Sequence, residues 1–161
     1  MFLPILSSQN QLMKVAYINE LLALNEEIKD RGLKLTEEDA KHVIDARSQT
    51  LKKYERVELG INVTKNIIEL FSSSPSIDEK NYLHVITAVQ EMFYYYKNET
   101  FEKVGDEKLL KIIYNYFNKE CRGSIRLLKG IMEEYSKKVR MDQMNKEYMD
   151  EGRDIYERRH K

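Results

Sequence analysis

The segment from Asn81 to Glu99 constrains the fold of this chain most, because its apolar side chains cover more than one face of a helix. Leu83, Ala88, Tyr94 and Tyr95 widen the main apolar stripe. A helix that is apolar so far around its axis needs neighbours on several sides. We therefore predict the central helix of a bundle at about residues 77–98. The main stripe has helical spacing and consists of Tyr82, Val85, Ile86, Val89, Met92, Phe93 and Tyr96.

The composition favours an all-α fold. Two prolines and six glycines in 161 residues, with abundant Glu, Lys and Leu, suit long helices better than a β-sandwich with many turns. The length and the apolar fraction of 42% fit one domain with a single core. We predict a single-domain bundle of about six helices.

The charges and the cysteine content argue against several classes of function. The chain has 27 basic and 27 acidic residues, so no net field attracts nucleic acid or an anionic membrane. No segment approaches the ~20 apolar residues of a membrane span, and the initial MFLPILSS is too short for a secretory signal. Cys121 is the single cysteine and lies in no metal-ligand pattern. We expect no disulfide, metal or cofactor, and a cytoplasmic location.

Local signals place the first two helices. An apolar stripe predicts the first helix at about residues 8–30, and Gly32 follows where a left-handed cap belongs. Thr36 precedes three acidic residues, which favours it as the N-cap of a second helix over residues 37–53. The inward positions predicted for the first helix are Leu12, Val15, Ala16, Ile18, Leu21, Leu22, Leu24 and Ile28.

A loop and a third helix lead to the central helix. The alternation of apolar and charged residues before Gly60 indicates a loop over residues 54–60. A third helix should begin near Ile61 and end at the serines and proline of residues 72–75. Ser76 and Asp78 are alternative N-caps for the central helix.

Two more helices are predicted after the central one. Gly105 and Asp106 open a fifth helix that is apolar nearly all round, and we expect it to pack on the central helix. Ser124 is the predicted N-cap of a long sixth helix. The apolar residues of that helix keep heptad-like spacing and are Ile125, Leu128, Met132, Tyr135 and Val139.

The composition changes after Arg140, which divides the chain into a helical domain, residues 1–140, and a charged amphipathic extension, residues 141–161. The extension either continues the sixth helix or forms a separate helix kinked at Gly152. Its sparse apolar side would be covered by its own domain or by a partner, and we favour a second copy or another protein. This possible association face consists of Met141, Met144, Tyr148, Met149, Ile155 and Tyr156.

Several short motifs occur together in a specific order: Asn25-Glu26, Gly32 to Ala40, Ala46-Arg47, Arg56 to Gly60, Ser74-Pro75, Asn81-Tyr82, Phe93 to Glu99 and Gly123-Ser124. This series resembles an uncharacterised domain-of-unknown-function family of Gram-positive anaerobic bacteria, over about residues 15–142. The resemblance implies one domain. It implies no activity, cofactor or catalytic residue, and it leaves out the charged extension.

The most site-like polar residues cluster at the end of the central helix. Lys97 and Asn98 could cap the last carbonyl groups, and Glu99 could pair with a basic residue of another helix. Tyr94, Tyr95 and Tyr96 are about 100° apart around the helix axis, so at least one should reach solvent or a partner. A structural role is favoured over a ligand site.

Two arginines complete the candidate cluster. A buried arginine needs a partner, so we expect Arg47 or Arg56 to form a salt bridge with Glu58 or Glu99. The alternative is an anion-binding pocket formed by both arginines.

Two classes of function remain. The favoured one is a non-enzymatic helical protein-interaction module that uses exposed tyrosines and the apolar side of the extension. The alternative is a small-ligand-binding or enzymatic domain whose pocket between helices is lined by tyrosines, Arg47, Arg56 and Glu99. His42, His84 and His160 are isolated in sequence, and no catalytic signature is present.

Overall fold

The structure is a computed structural model that describes the backbone of residues 3–159 and the side chains of residues 10–153 and 159. Within the described backbone it is all-α, with a short 3₁₀ turn at Lys29–Arg31 and no strand. The predicted fold class is confirmed. The helices are α1 (Leu3–Glu27), α2 (Glu37–Lys53), α3 (Asn62–Phe71), α4 (Tyr82–Glu99), α5 (Asp106–Asn118) and α6 (Ile125–Arg159).

Helix α4 is the centre of the bundle, as predicted. It contacts α2, α3, α5 and α6, and Val89 and Phe93 on its main stripe are buried. A buried amide also joins three helices: Gln90 accepts a hydrogen bond from the Thr64 hydroxyl (2.5 Å) and donates one to the carbonyl oxygen of Val43 (3.2 Å). The wide apolar surface of α4 is therefore used by neighbours on several sides.

Local capping fixes the bounds of α2 at the predicted residues. The hydroxyl of Thr36 accepts a hydrogen bond from the backbone N–H of Asp39 (3.0 Å), and the Asp39 carboxylate accepts one from the N–H of Thr36 (3.0 Å). This reciprocal pair satisfies two N–H groups that have no partner within the helix.

Gly32 has the predicted left-handed conformation, with φ 78°. Ser124 caps α6 by accepting a hydrogen bond from the N–H of Leu127 (3.2 Å).

The predicted start of α4 was wrong by a few residues. Neither Ser76 nor Asp78 is the N-cap, because the helix begins at Tyr82 and Asn81 occupies the cap position. The side chains of Asp78 and Asn81 instead accept hydrogen bonds from each other's backbone N–H groups (2.8 and 3.0 Å). These reciprocal bonds hold residues 78–81 in a turn just before the helix.

The predicted apolar stripe of α1 is only partly buried. Leu21, Leu24 and Ile28 are in the core, whereas Leu12 and Val15 are exposed. Ile18 and Leu22 are half-buried against the core. The earlier part of α1 still reaches α2, where Lys14 pairs with Asp45 (2.5 Å). Among the described residues, however, Leu12 and Val15 have no apolar neighbour that covers them, so helical spacing alone overestimated their burial.

Helix α6 continues without interruption through Gly152 to Arg159, so the extension is part of the sixth helix. Leu128 and Met132 are buried against the bundle, and Tyr135 and Val139 are half-buried. Met141, Met144, Tyr148 and Met149 are all exposed. The side chains of Ile155 and Tyr156 lie outside the described residues. No helix in the described part of the chain is long and apolar enough to cross a membrane.

Candidate functional site

The structure brings five of the predicted site residues together around the loop of residues 54–60. Arg47 of α2 donates hydrogen bonds through Nη2 to the carbonyl oxygens of Glu58 (3.1 Å) and Gly60 (2.5 Å). Tyr94 of α4 donates its phenolic hydrogen to the carboxylate of Glu58. We call this group, Arg47, Arg56, Glu58, Tyr94 and Asn98, the loop brace.

Arg56 and Asn98 form the second half of the loop brace. Nη1 of Arg56 donates to Oδ1 of Asn98 (2.7 Å) and forms an ion pair with Glu102. The amide nitrogen of Asn98 donates to the carbonyl oxygen of Tyr54 (3.1 Å). The guanidinium of Arg56 also lies 5.9 Å from the ring centroid of Tyr94. The loop is thus fixed to α4 at Tyr54, Arg56 and Glu58.

The predicted partners of the two arginines were wrong. Arg47 is buried and binds backbone carbonyl oxygens, and its guanidinium lies 5.3 Å from the ring centroid of Tyr17. Arg56 pairs with Glu102 instead of Glu58 or Glu99. Carbonyl oxygens are acceptors for Nη2, so Arg47 has partners without a carboxylate, while its buried Nε has no partner among the described residues.

Burial also affects the phenol of Tyr94. Burial, and then the hydrogen bond to Glu58, raise the pKa of Tyr94 far above the usual value for a tyrosine. Its phenol is therefore a permanent donor to the Glu58 carboxylate near neutral pH. Such a group supports structure and is a poor general base.

Three successive residues at the end of α4 bind three different segments. Lys97 is buried, donates to the carbonyl oxygen of Val104 (2.6 Å) and forms an ion pair with Asp106 at the start of α5 (2.6 Å). Asn98 holds the loop of residues 54–60. Glu99 forms an ion pair with Arg140 of α6 (2.9 Å), which confirms the predicted pairing with another helix. All three polar residues of this helix end therefore have partners within the bundle.

Two aliphatic side chains of the loop of residues 54–60 are exposed, and neither was among the predicted site residues. Val57 is 95% exposed and Leu59 is 87% exposed. They alternate with Arg56 and Glu58, which are tied to the bundle. The alternation was visible in the sequence, but which set faces solvent depends on partners from α2 and α4.

A second feature is a groove of about 700 Å³ along α4, which we call the α4 groove. Its floor is the side of α4 that contains Leu83, Ala88, Met92 and Tyr95. One wall comes from α2 and the residue after it, with His42 and Tyr54, and the other from α6, with Lys129 and Glu133.

Of the three successive tyrosines, the α4 groove is lined by Tyr95 and Tyr96. Tyr94 and Tyr96 are buried, and Tyr95 is half-buried. Tyr96 donates a hydrogen bond to the carbonyl oxygen of Lys129 (3.1 Å).

The α4 groove differs from the predicted pocket. Arg47, Arg56 and Glu99 do not line it. His42 and His84 are isolated in the sequence, but both line the groove because α2 and α4 lie side by side. No sequence spacing could have joined them. Among the described residues, no group of His, Cys, Asp or Glu side chains could hold a metal ion.

The fold and these two features define a small helical-bundle protein with a braced loop and an open groove. The model of DUF6323, a family of unknown function, matches residues 20–145. Because this is most of the chain, the protein belongs to the DUF6323 family. The resemblance to a family of unknown function is confirmed over a similar range. No curated protein and no solved structure matches the chain.

Proposed function

We propose that this protein is a non-enzymatic helical interaction module that associates with a second copy of itself through residues 141–159 of α6. The observation that carries the proposal is a change of apolar side along α6. Up to Val139, the large apolar residues of α6 other than Leu127 face the bundle. Met141 follows two residues later, which is a rotation of about 200° around the helix axis.

This change of side separates the extension from its own domain. Met144 and Tyr148 follow Met141 at steps of three and four residues, so they share its side of the helix. That side is roughly opposite the one that contacts the bundle through Leu128 and Met132. Bending α6 toward its own domain would therefore leave these residues exposed. A partner on the other side of α6 could cover them.

The exposed side has the composition of an interface. Met141 and Met144 are each 63% exposed, and Tyr148 is 79% exposed. Methionine and tyrosine are enriched at protein interfaces. Exposed apolar residues grouped in this way mark an interaction site more often than scattered ones do.

More exposed apolar residues lie at the same end of the bundle. Val57 and Phe101 each adjoin a residue of the ion pair between Arg56 and Glu102. Arg140, the last residue before the extension, pairs with Glu99 at the end of α4. The braced loop and the extension therefore start from one end of α4, which supports an association surface there.

The charges of the extension favour a second copy in antiparallel orientation. Residues 142–151 carry four carboxylates and one cation, whereas residues 153–161 carry four cations and two carboxylates, apart from His160. An antiparallel pair places each acidic half beside the basic half of the other copy. A parallel pair would place like charges side by side, which is unfavourable. A pair of extensions would be about 28 Å long at 1.5 Å per residue.

Sedimentation velocity at micromolar concentration tests the proposal. We expect the full chain to be a dimer, and we expect both a chain ending at Arg140 and the double variant Met144→Gln/Tyr148→Gln to be monomers. The matched control is Lys146→Gln/Asp150→Gln, which changes the opposite side of the helix and keeps the net charge; it should remain dimeric. A monomeric full chain would refute the proposal.

The cytoplasmic location and the bacterial origin predicted from the sequence remain proposals. The location is supported by a single cysteine, Cys121, which is buried and free. Burial, and then the neighbouring charge of Glu120, raise the pKa of its thiol, which disfavours the reactive thiolate. Nothing about Cys121 requires an oxidising compartment.

A further inference from the structure

We propose that the α4 groove binds a long-chain monocarboxylate of the fatty-acid type. The inference is independent of the association proposed for α6. It assigns to the groove an acyl chain along the floor and a carboxylate at the end near Lys80.

The groove has the dimensions of a site for an extended chain. Its lining residues run along α4 from Leu83 to Tyr96, which is about 20 Å at 1.5 Å per residue. Its volume of about 700 Å³ lies within the range of small-molecule sites. Helices α2 and α6 wall this side of α4 without covering it. The groove is thus long enough for an extended acyl chain.

The floor is part apolar and part polar. Leu83, Ala88, Met92 and Tyr95 supply its apolar surface, and His84, Thr87 and Glu91 lie between them along α4. The ring of Tyr95 packs against that of Tyr54, with centroids 5.7 Å apart. Burial of acyl methylene groups on the apolar part of the floor removes them from water, which is favourable.

The acidic groups of the rim already have partners. Glu91 accepts hydrogen bonds from Lys53 and from the phenol of Tyr54, both at 3.2 Å. Glu133 accepts one from the phenol of Tyr96 (3.2 Å). Both carboxylates lie toward the end of the groove at Tyr95. A ligand carboxylate would be repelled there.

The basic groups of the rim are free to bind an anion. Within the described part of the chain, Lys80 has no carboxylate within 4.0 Å. Lys129 has none either, but it lies at the other end of the groove, where its carbonyl oxygen accepts a hydrogen bond from Tyr96. Lys80 lies just before the start of α4, where the helix dipole also favours negative charge. His84 and His42 line the groove and can donate hydrogen bonds to a carboxylate. The ligand should therefore lie with its carboxylate near Lys80 and its acyl chain toward Tyr95.

Isothermal titration of the full-length protein with sodium hexadecanoate, kept below its micelle concentration, tests the inference. We expect saturable binding of one molecule per chain with micromolar Kd, and much weaker binding of hexadecanol, which lacks the carboxylate. Lys80→Gln should weaken binding of hexadecanoate by roughly three- to tenfold, as expected for loss of a partly exposed ion pair. Lys108→Gln, on α5 and outside the groove, should leave it unchanged.

Two further variants separate the groove from other apolar surfaces. Ala88→Phe fills the floor and should abolish binding while the far-ultraviolet circular dichroism stays native. Met144→Gln/Tyr148→Gln should bind hexadecanoate normally, because it changes only the extension of α6. Absence of binding to the wild-type protein would overturn the inference. So would equal binding by the wild type and Ala88→Phe, or loss of binding only in the extension variant.

Discussion

The phenol of Tyr94 donates a hydrogen bond to the carboxylate of Glu58, and this bond joins the buried side of α4 to an exposed loop. Arg47 holds the carbonyl oxygen of the same glutamate from α2. One loop residue is thus fixed from two helices at once. The neighbouring side chains of Val57 and Leu59 point to solvent as a result.

Replacing Arg47 with methionine should destabilise the fold. The substitution keeps much of the side-chain volume but leaves the carbonyl oxygens of Glu58 and Gly60 without their donor. We expect the free energy of unfolding in urea to fall by about 2–3 kcal/mol. Arg126→Met, at an exposed position of α6, is the control and should change it by less than about 0.5 kcal/mol. Equal values for both variants would show that the loop brace has no structural role.

Phe93→Ala should be among the most damaging single substitutions in the core. Phe93 is fully buried on the main stripe of α4, and such truncations typically cost ~3–5 kcal/mol. Phe101→Ala is a matched control, because Phe101 is 53% exposed. Thermal melts monitored by circular dichroism should show a large decrease for the first variant and a small one for the second. A melting temperature of Phe93→Ala within a degree or two of the parent would contradict the central position of α4.

The capping pair at the start of α2 predicts a smaller and chemically specific effect. Thr36→Ala removes the acceptor for the N–H of Asp39 and should cost about 1 kcal/mol. Thr36→Asp retains an acceptor and should lose little. Urea unfolding of both variants is the measurement. If they are equally destabilised, the hydroxyl has a role other than capping.

Tyr82 predicts a loss of stability at alkaline pH. Burial raises its pKa to about 12, above the usual value of about 10 in an unfolded chain. The folded protein therefore holds this proton more tightly, so its stability falls as the pH rises from about 10 to about 12. The hydroxyl is buried without a hydrogen-bond partner among the described residues.

Substitution by phenylalanine tests this effect directly. Tyr82→Phe should be as stable as the parent at pH 7, because no hydrogen bond is lost. It should also unfold at a higher pH when circular dichroism is followed from pH 9 to 12. The same alkaline midpoint for both proteins would show that ionisation of Tyr82 does not contribute.

The orientation of the proposed dimer can be determined by disulfide cross-linking. Asp142→Cys and Arg159→Cys place thiols near opposite ends of the extension. In an antiparallel pair, oxidation should cross-link a mixture of the two variants much faster than either variant alone. Rapid cross-linking of each variant with itself would indicate a parallel pair. The native Cys121 is buried, and the unsubstituted protein serves as the control.

Features set by neighbouring residues could be predicted from the sequence, and features set by distant ones could not. The start of α2 follows from Thr36 and Asp39, which are three residues apart. The central position of α4 follows from its wide apolar surface. The partners of Arg47 were missed because they are backbone carbonyl oxygens, which every residue carries and no composition reveals.

The α4 groove shows the same limit at the level of the whole fold. His42 and His84 line it together, but their proximity depends on how α2 packs against α4. The change of side along α6 was present in the spacing between Val139 and Met141. The sequence alone could not show that the extension's apolar side points away from the bundle, because only the packing of Leu128 and Met132 shows which side of α6 faces the bundle.

The successive residues Lys97, Asn98 and Glu99 have a consequence for how the length of α4 can vary. Each binds a different segment, and together they point in three directions around the helix end. Inserting or deleting one residue in α4 would rotate all three by about 100° and shift them by about 1.5 Å. The start of α5, the braced loop and α6 would lose their attachments simultaneously. The helix therefore has a fixed residue count between its core stripe and its end.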